Sequence, residues 1–153
     1  MVRRSICALV LLVVGAVVSA RADESFVGSV KTVQGAVSVQ RTSGSLPVTE
    51  GMRLLRQDIL HTGADSRMAF MLQDGTRISL GSNSEMKLDE FRYEPAKNKY
   101  ALGIDMTKGV FAYISGKIAS FSPESVKVRT PVGIIGVRGT QFAVALDAPR
   151  GVQ

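Results

Sequence analysis

The sequence predicts an all-β protein of twisted antiparallel sheets, solenoid-like or sandwich-like, behind an N-terminal signal peptide. Three observations carry that prediction. Apolar residues recur at every second position through most of the chain, the period of a half-buried strand. The 15 glycines fall mostly between these alternating runs. No segment sustains the 3.6-residue period of an amphipathic helix.

The N-terminus is the exception. Arg3 and Arg4 precede an uncharged apolar run, Ile6 to Val18, of 13 residues. Small residues follow at Ser19, Ala20 and Ala22. This is the layout of a secretory signal. Ala20-Arg21-Ala22 sets cleavage after Ala22, with Val18-Ser19-Ala20 as the alternative site. A spanning helix needs about 20 apolar residues, which this run does not reach. Arg3-Arg4 hints at a twin-arginine signal, but the strong apolar run favours general export. The one Cys, Cys7, lies early in the run, where a lipoprotein signal does not have it. The organisation expected is therefore a signal over residues 1–22, one β domain over 23–147, and a frayed tail over 148–153.

Export removes Cys7, so the mature chain has no thiolate and no disulfide. Removing Arg3, Arg4 and Arg21 leaves 16 of the 19 basic residues against 13 acidic ones, a surplus of three. So mild a surplus supports solubility more than it marks an anionic partner. Export also argues against nucleic acid, and no membrane span is expected after cleavage.

The strands follow in order. Val37 and Val39 alternate with Ser38 and Gln40. Met68, Phe70 and Leu72 form the next row, then Ile78 and Leu80. A two-residue turn at Asp74-Gly75 would put these two rows on opposite faces. A three-residue loop, Gln73-Asp74-Gly75, pairs Phe70 with Ile78 and Met68 with Leu80, and places Gly75 where positive φ is required. Ser82 to Glu85 could cap a helix, but Met86 and Leu88 alternate, so Glu85–Asp89 is expected as a strand. Tyr100, Leu102, Ile104 and Met106 form the longest row. A second three-residue loop, Thr107-Lys108-Gly109, would pair Met106 with Val110, Ile104 with Ala112 and Leu102 with Ile114. Val126 and Val128 follow, then Phe142, Val144 and Leu146.

Catalytic constellations are missing. His61 is the only His, and beside Thr62 in an alternating segment it reads as a surface or turn residue. One His without Cys does not make a zinc site, and no cofactor is expected. Asp89, Glu90 and Glu94 read as solvated, because adjacent strand residues face opposite ways. Asp58 and Asp74 sit at turn positions, where the carboxylate bonds local backbone. Tyr93, Tyr100, Tyr113, Phe91 and Phe111 would make a sugar-stacking face if exposed, but aromatics of this kind ordinarily fill cores.

The candidate binding or structural loop is Thr130 to Phe142. Pro131 fixes φ and holds Thr130 extended. Gly133, Gly136 and Gly139, spaced by three, suit a backbone passing close to another segment. Arg138 can fork hydrogen bonds to carbonyls or a carboxylate. Thr130, Pro131, Gly136, Arg138, Gly139 and Thr140 are its key residues. One reading is an anion or ligand loop. The other is an internal arginine tying a tight turn to the next strand, and it is preferred. A Gly-rich run without Gly-Lys-Ser/Thr, and without a following helix, is weak as a phosphate loop.

The ordered series Gly28-Ser29-Val30, Gly35-Ala36-Val37-Ser38-Val39, Asp58-Ile59-Leu60-His61-Thr62, Leu72-Gln73-Asp74-Gly75-Thr76, Thr130-Pro131 and Val137-Arg138-Gly139-Thr140-Gln141-Phe142 resembles the FecR domain family. The resemblance spans Phe26 to Leu146. It implies a periplasmic all-β domain with a role in protein–protein signalling. Full regulators of that family relay a signal from an outer-membrane transducer to a cytoplasmic sigma factor. This sequence departs from that plan. No helical domain precedes the apolar run, a cleavable signal stands where the regulator has a membrane span, and no domain follows Leu146. What carries over is the exported module. The expected function is a non-enzymatic interaction or sensory module that binds an envelope protein. The alternative is a cell-wall or carbohydrate-binding domain.

Overall fold

A three-residue turn closes the central hairpin. The computed structural model describes residues 26–139 and 141–147. The expected signal over 1–22, the tail over 148–153 and Thr140 lie outside the described residues. In the hairpin, β6 (Arg67–Leu72) pairs with β7 (Arg77–Leu80), Phe70 opposite Ile78 and Met68 opposite Leu80, as the alternation requires. Gly75 has φ +85°, and its N–H donates to the Leu72 carbonyl at 3.0 Å.

The described chain is mostly strand. From the start it runs β1 (Phe26–Gln34), β2 (Val37–Arg41), β3 (Gly44–Pro47), β4 (Arg53–Leu55) and β5 (Ile59–Thr62). After the hairpin come β8 (Glu85–Glu94), β9 (Lys99–Ile114), a short helix α1 (Lys117–Phe121), β10 (Val126–Thr130), β11 (Gly133–Gly136) and β12 (Gln141–Leu146). The strand expected at Glu85–Asp89 exists and runs on to Glu94, with a bulge between Leu88 and Glu90.

The second expected hairpin does not form. Thr107, Lys108 and Gly109 lie inside β9, which continues for 16 residues. Its first part, Lys99 to Lys108, pairs with β8, and its last part, Gly109 to Ile114, pairs with β7 and β12. Gly109 does have φ +102°, but it serves close approach rather than reversal. A Cβ there would stand 2.4 Å from Ser84 Cα. The Ser84 hydroxyl accepts the Val110 N–H at 3.1 Å and donates to the Gly81 carbonyl at 2.9 Å. The crossing is thus stitched from both sides.

β9 therefore belongs to two sheets. The front sheet runs β4-β1-β6-β7-β9-β12, and the back sheet runs β3-β2-β5-β8-β9-β10-β11. A strand that passes from one layer to the other makes the corner of a sandwich. Inward residues of both layers, Val30, Phe70 and Tyr113 in front and Val39, Leu60, Met86 and Ile104 behind, share one core. Phe142 of β12 stacks on Tyr113 with ring centres 4.9 Å apart. One pairing departs from the antiparallel expectation. β10 lies parallel to Leu102–Asp105 of β9, because α1 and the Pro123–Ser125 turn carry the chain back.

Buried polar residues hold the turns. Asp74, 1% exposed, accepts from the Thr76 N–H and hydroxyl and from the Ile118 N–H of α1. Asp58 takes a two-point contact from Arg41, at 2.7 and 2.8 Å, and accepts the Leu55 N–H. Arg41 also donates to the Arg53 carbonyl, so this cluster links β2 to β4. Both acids bond local backbone as expected, and both reach further than a turn residue must.

The two glycines separate strain from crowding. Gly75→Val meets open space, so it should cost about 1–2 kcal/mol, the strain of positive φ on a branched residue. Gly109→Val adds a clash with Ser84 and should cost about 3 kcal/mol or more. Denaturant unfolding of the pair checks this, and equal costs would contradict the crossing.

Candidate protein-binding edge at Gly133–Gly136

Thr130 to Gly139 forms the outer rim of the back sheet. Thr130 ends β10 and pairs with Gly133 across a turn made by Pro131 and Val132. Its hydroxyl donates to the Gly133 carbonyl at 2.9 Å. That closes the hairpin locally, so Thr130 and Pro131 are explained by the turn alone. β11 then pairs with β10 on one side only and is the edge strand of the back sheet.

The side chains of this edge divide sharply. Ile135 lies opposite Val128 and packs against the core. Ile134 faces outward and is 69% exposed, and Val132 at the turn is 90% exposed. Val137, 1% exposed, is the anchor that returns the chain to the core before β12. Gly139 has φ +57°, which lets the chain turn toward the front sheet.

Two expectations are corrected here. Arg138 is exposed, and no hydrogen bond or ion pair ties it among the described residues, so it is no internal tie. It lies beside a crevice of about 320 Å³ lined by Pro123, Glu124, Val126, Gly136 and Val137. Hydrogen bonding from Ser122 chiefly holds the Glu124 carboxyl below its ordinary range, with a smaller pull from the Arg138 charge. The glycine spacing does not serve close packing within the chain either. A Cβ at Gly133, Gly136 or Gly139 would meet no atom within 4 Å. Among the described residues the edge has no neighbour, because β11 ends the sheet.

An ion-pair cluster fixes this rim to the body. Arg129 of β10 reaches Asp105 on β9 and Asp89 at the β8 bulge. Lys87 sits 3.0 Å from Asp89, and Gln57 donates to the Asp89 carbonyl at 2.6 Å. The Lys87 contact chiefly lowers the Asp89 carboxyl, with Arg129 and Gln57 adding to it against partial burial. Asp89 is therefore not merely solvated, because the bulge turns it toward its cationic neighbours. Glu90 is exposed, and Glu94 pairs with Lys97 at 3.1 Å.

The remaining candidates disperse. His61 sits 3.4 Å from Glu85 on the outer face of the back sheet. Phe111 and Tyr113 are fully buried and Phe91 is 9% exposed, so they build core rather than a sugar face. Tyr93 and Tyr100 pack against that core, and the 61%-exposed Phe121 ring lies tilted against Tyr100 with centres 5.8 Å apart. Sequence reasoning missed Ile134 and Val132 as the exposed apolar pair. Pro131 followed by six uncharged residues, with no Lys or Glu to guard an edge, was the available signal. Among the described residues no three of His, Cys, Asp and Glu converge as a metal set, and no helix is long and apolar enough to cross a membrane.

Compared with known proteins, residues 58–152 match the family model described as FecR protein. The match begins at Asp58, so β1 to β4 precede it. No curated protein and no solved structure matches the chain.

The ion cluster has a pH signature. Asp89 titrates below its unfolded value, so its contribution is present above that value and is lost as pH falls through the folded one. Amide protection of Ile135, whose N–H faces β10, should hold from neutral pH to the ordinary Asp range and fall below it. Arg129→Ala should weaken that protection at neutral pH and flatten its acid response, measured by hydrogen exchange corrected for intrinsic rates.

Proposed function

The chain belongs to the FecR family, a signalling and regulatory one, and from that premise we propose that it is an exported, non-enzymatic module that binds a protein of the cell envelope through the β11 edge. One observation carries the proposal. β11 is an edge strand with an exposed Ile134, an exposed Val132 in the turn just before it, and a Gly136 that has open space around it. An edge of this kind accepts an added strand from a partner, with main-chain hydrogen bonds supplying affinity. Glycine lets that partner's backbone approach closely. The other end of the back sheet is guarded differently, because β3 carries Pro47. Arg138 stands beyond the end of β11, where it meets an acidic group on the docked segment.

Export follows from the Arg3-Arg4 charge, the apolar run to Val18 and the small residues after it. The mature chain then starts at Asp23. A second reading, glycan binding, rests on the Tyr93, Tyr100 and Phe121 rings, which sit in series with Phe121 exposed.

Ile134→Lys and Arg138→Ala both change exposed side chains, so each should unfold within about 0.5 kcal/mol of the parent. Ile134→Lys should abolish capture of an envelope protein by the mature chain, and Arg138→Ala should weaken it more at low salt than at high salt. Capture unchanged by both variants would overturn the edge as the site. Retention on purified cell-wall glycan that Phe121→Ala removes would favour the second reading. N-terminal mass spectrometry decides export, where an intact Met1 species would contradict cleavage.

A further inference from the structure

The two outer faces of the molecule differ in kind. Outward positions of the back sheet carry paired charges. Lys87, Asp105 and Arg129 stand side by side on adjacent strands, and Lys108 and His61 both approach Glu85. The front sheet has no such face. Met68–Leu72 of β6, Gly109–Ile114 of β9 and Phe142–Leu146 of β12 run apolar without polar alternation. Strands of that composition belong to sheets covered on both faces, whereas a solvated face alternates.

Among the described residues nothing covers that face, and it is shaped. Ala69, Ser79, Ala112 and Ala143 stand at one level on four adjacent strands and floor a groove of about 570 Å³. Val110, 52% exposed, rises on one bank. With Thr32 of β1 the floor crosses five strands, about 19 Å at the usual interstrand spacing. Arg67 lines the groove, and Arg77 stands on the same face on the far side of the floor row. Arg67 precedes Ala69 on β6, and Arg77 lies opposite Met71 beyond it, a separation of about 13 Å along the strands. Arg67 donates to the neutral Gln34 side chain at 2.7 Å. Among the described residues neither arginine has an ion-pair partner. No Asp or Glu occupies an outward position on β1, β6, β7, β12 or the Gly109–Ile114 part of β9.

We propose that this groove docks an amphipathic helix of a partner protein, its apolar stripe on the Ala69–Ala143 floor and its acidic flanks on Arg67 and Arg77. The dimensions agree. A helix about 10–12 Å across fits between arginines about 13 Å apart, and about 13 residues span the floor. Charge complementarity selects the occupant, because unpaired cations flank an apolar floor on both sides. This surface is separate from the β11 edge, so the module has two docking faces.

The test uses the mature chain and two synthetic 15-residue helical peptides with the same Leu/Ala stripe, one flanked by Glu and one by Lys. Fluorescence anisotropy should give the Glu peptide about ten-fold tighter binding or more, narrowing as salt rises. Arg77→Glu, an exposed change, should erase that preference, because one flank then repels what the other attracts. Ala112→Trp, verified as folded by its thermal melt, should abolish binding by filling the floor. Ile134→Lys should leave it unchanged, which separates this groove from the β11 edge. Equal binding of both peptides by the unsubstituted chain, or an Arg77→Glu variant without effect, would overturn the proposal. So would a dimer in sedimentation that Ala112→Trp dissolves, since a second copy would then own the face. Binding to phosphatidylglycerol vesicles without binding of the Glu peptide would overturn it in favour of a lipid surface.

Discussion

Everything in this molecule depends on β9 passing uninterrupted from the back sheet to the front. That passage needs one residue with positive φ and no side chain, pressed against Ser84. Gly109 supplies it. Before the crossing, β9 pairs with β8 and β10, and after it with β7 and β12. Each half of β9 thus sits between two strands, and one continuous strand closes both layers over a common core. Splitting β9 into a hairpin would leave β12 or β10 without a neighbour.

The polar interior follows from the same constraint. A sheet that folds over on itself brings its turns against the core, and their backbone groups must then find partners. Asp74 serves the β6–β7 turn and α1 together, Asp58 serves β4 and Arg41, and Thr62 exchanges hydrogen bonds with the Gly81–Ser84 turn. These are short polar side chains doing what backbone cannot do at a corner. They explain how buried Asp coexists here with the absence, among the described residues, of a metal-binding cluster.

The C-terminal third is arranged around the crossing. α1 returns the chain so that β10 lies parallel to β9, Arg129 locks it there, and Val137 sends the chain across to β12. β11 is left at the rim by this path. Its exposure is a consequence of topology, and its apolar composition is what turns an edge into a surface for a partner. The front face owes its apolar character to a different cause, the small residues of β6, β9 and β12.

The all-β class, the β6–β7 register and the family resemblance were all legible in the sequence, because period-two alternation and a glycine at the third loop position report local geometry directly. The same reasoning failed at Thr107–Gly109. A glycine with positive φ looks alike in a turn and in a strand that bends past a neighbour, and only Ser84, 25 residues away in sequence, distinguishes them. The site divided in the same way. Thr130 and Pro131 could be read as a turn from their own chemistry. Whether Arg138 is inside or outside could not, since that depends on β11 having no further strand beside it. Which residues face together along each strand is written into the chain itself, because side-chain direction is set by the backbone at that residue. The tertiary structure alone decided which strands are edges and which faces stay uncovered, because those are properties of what lies next to a strand, and neighbours come from distant parts of the chain.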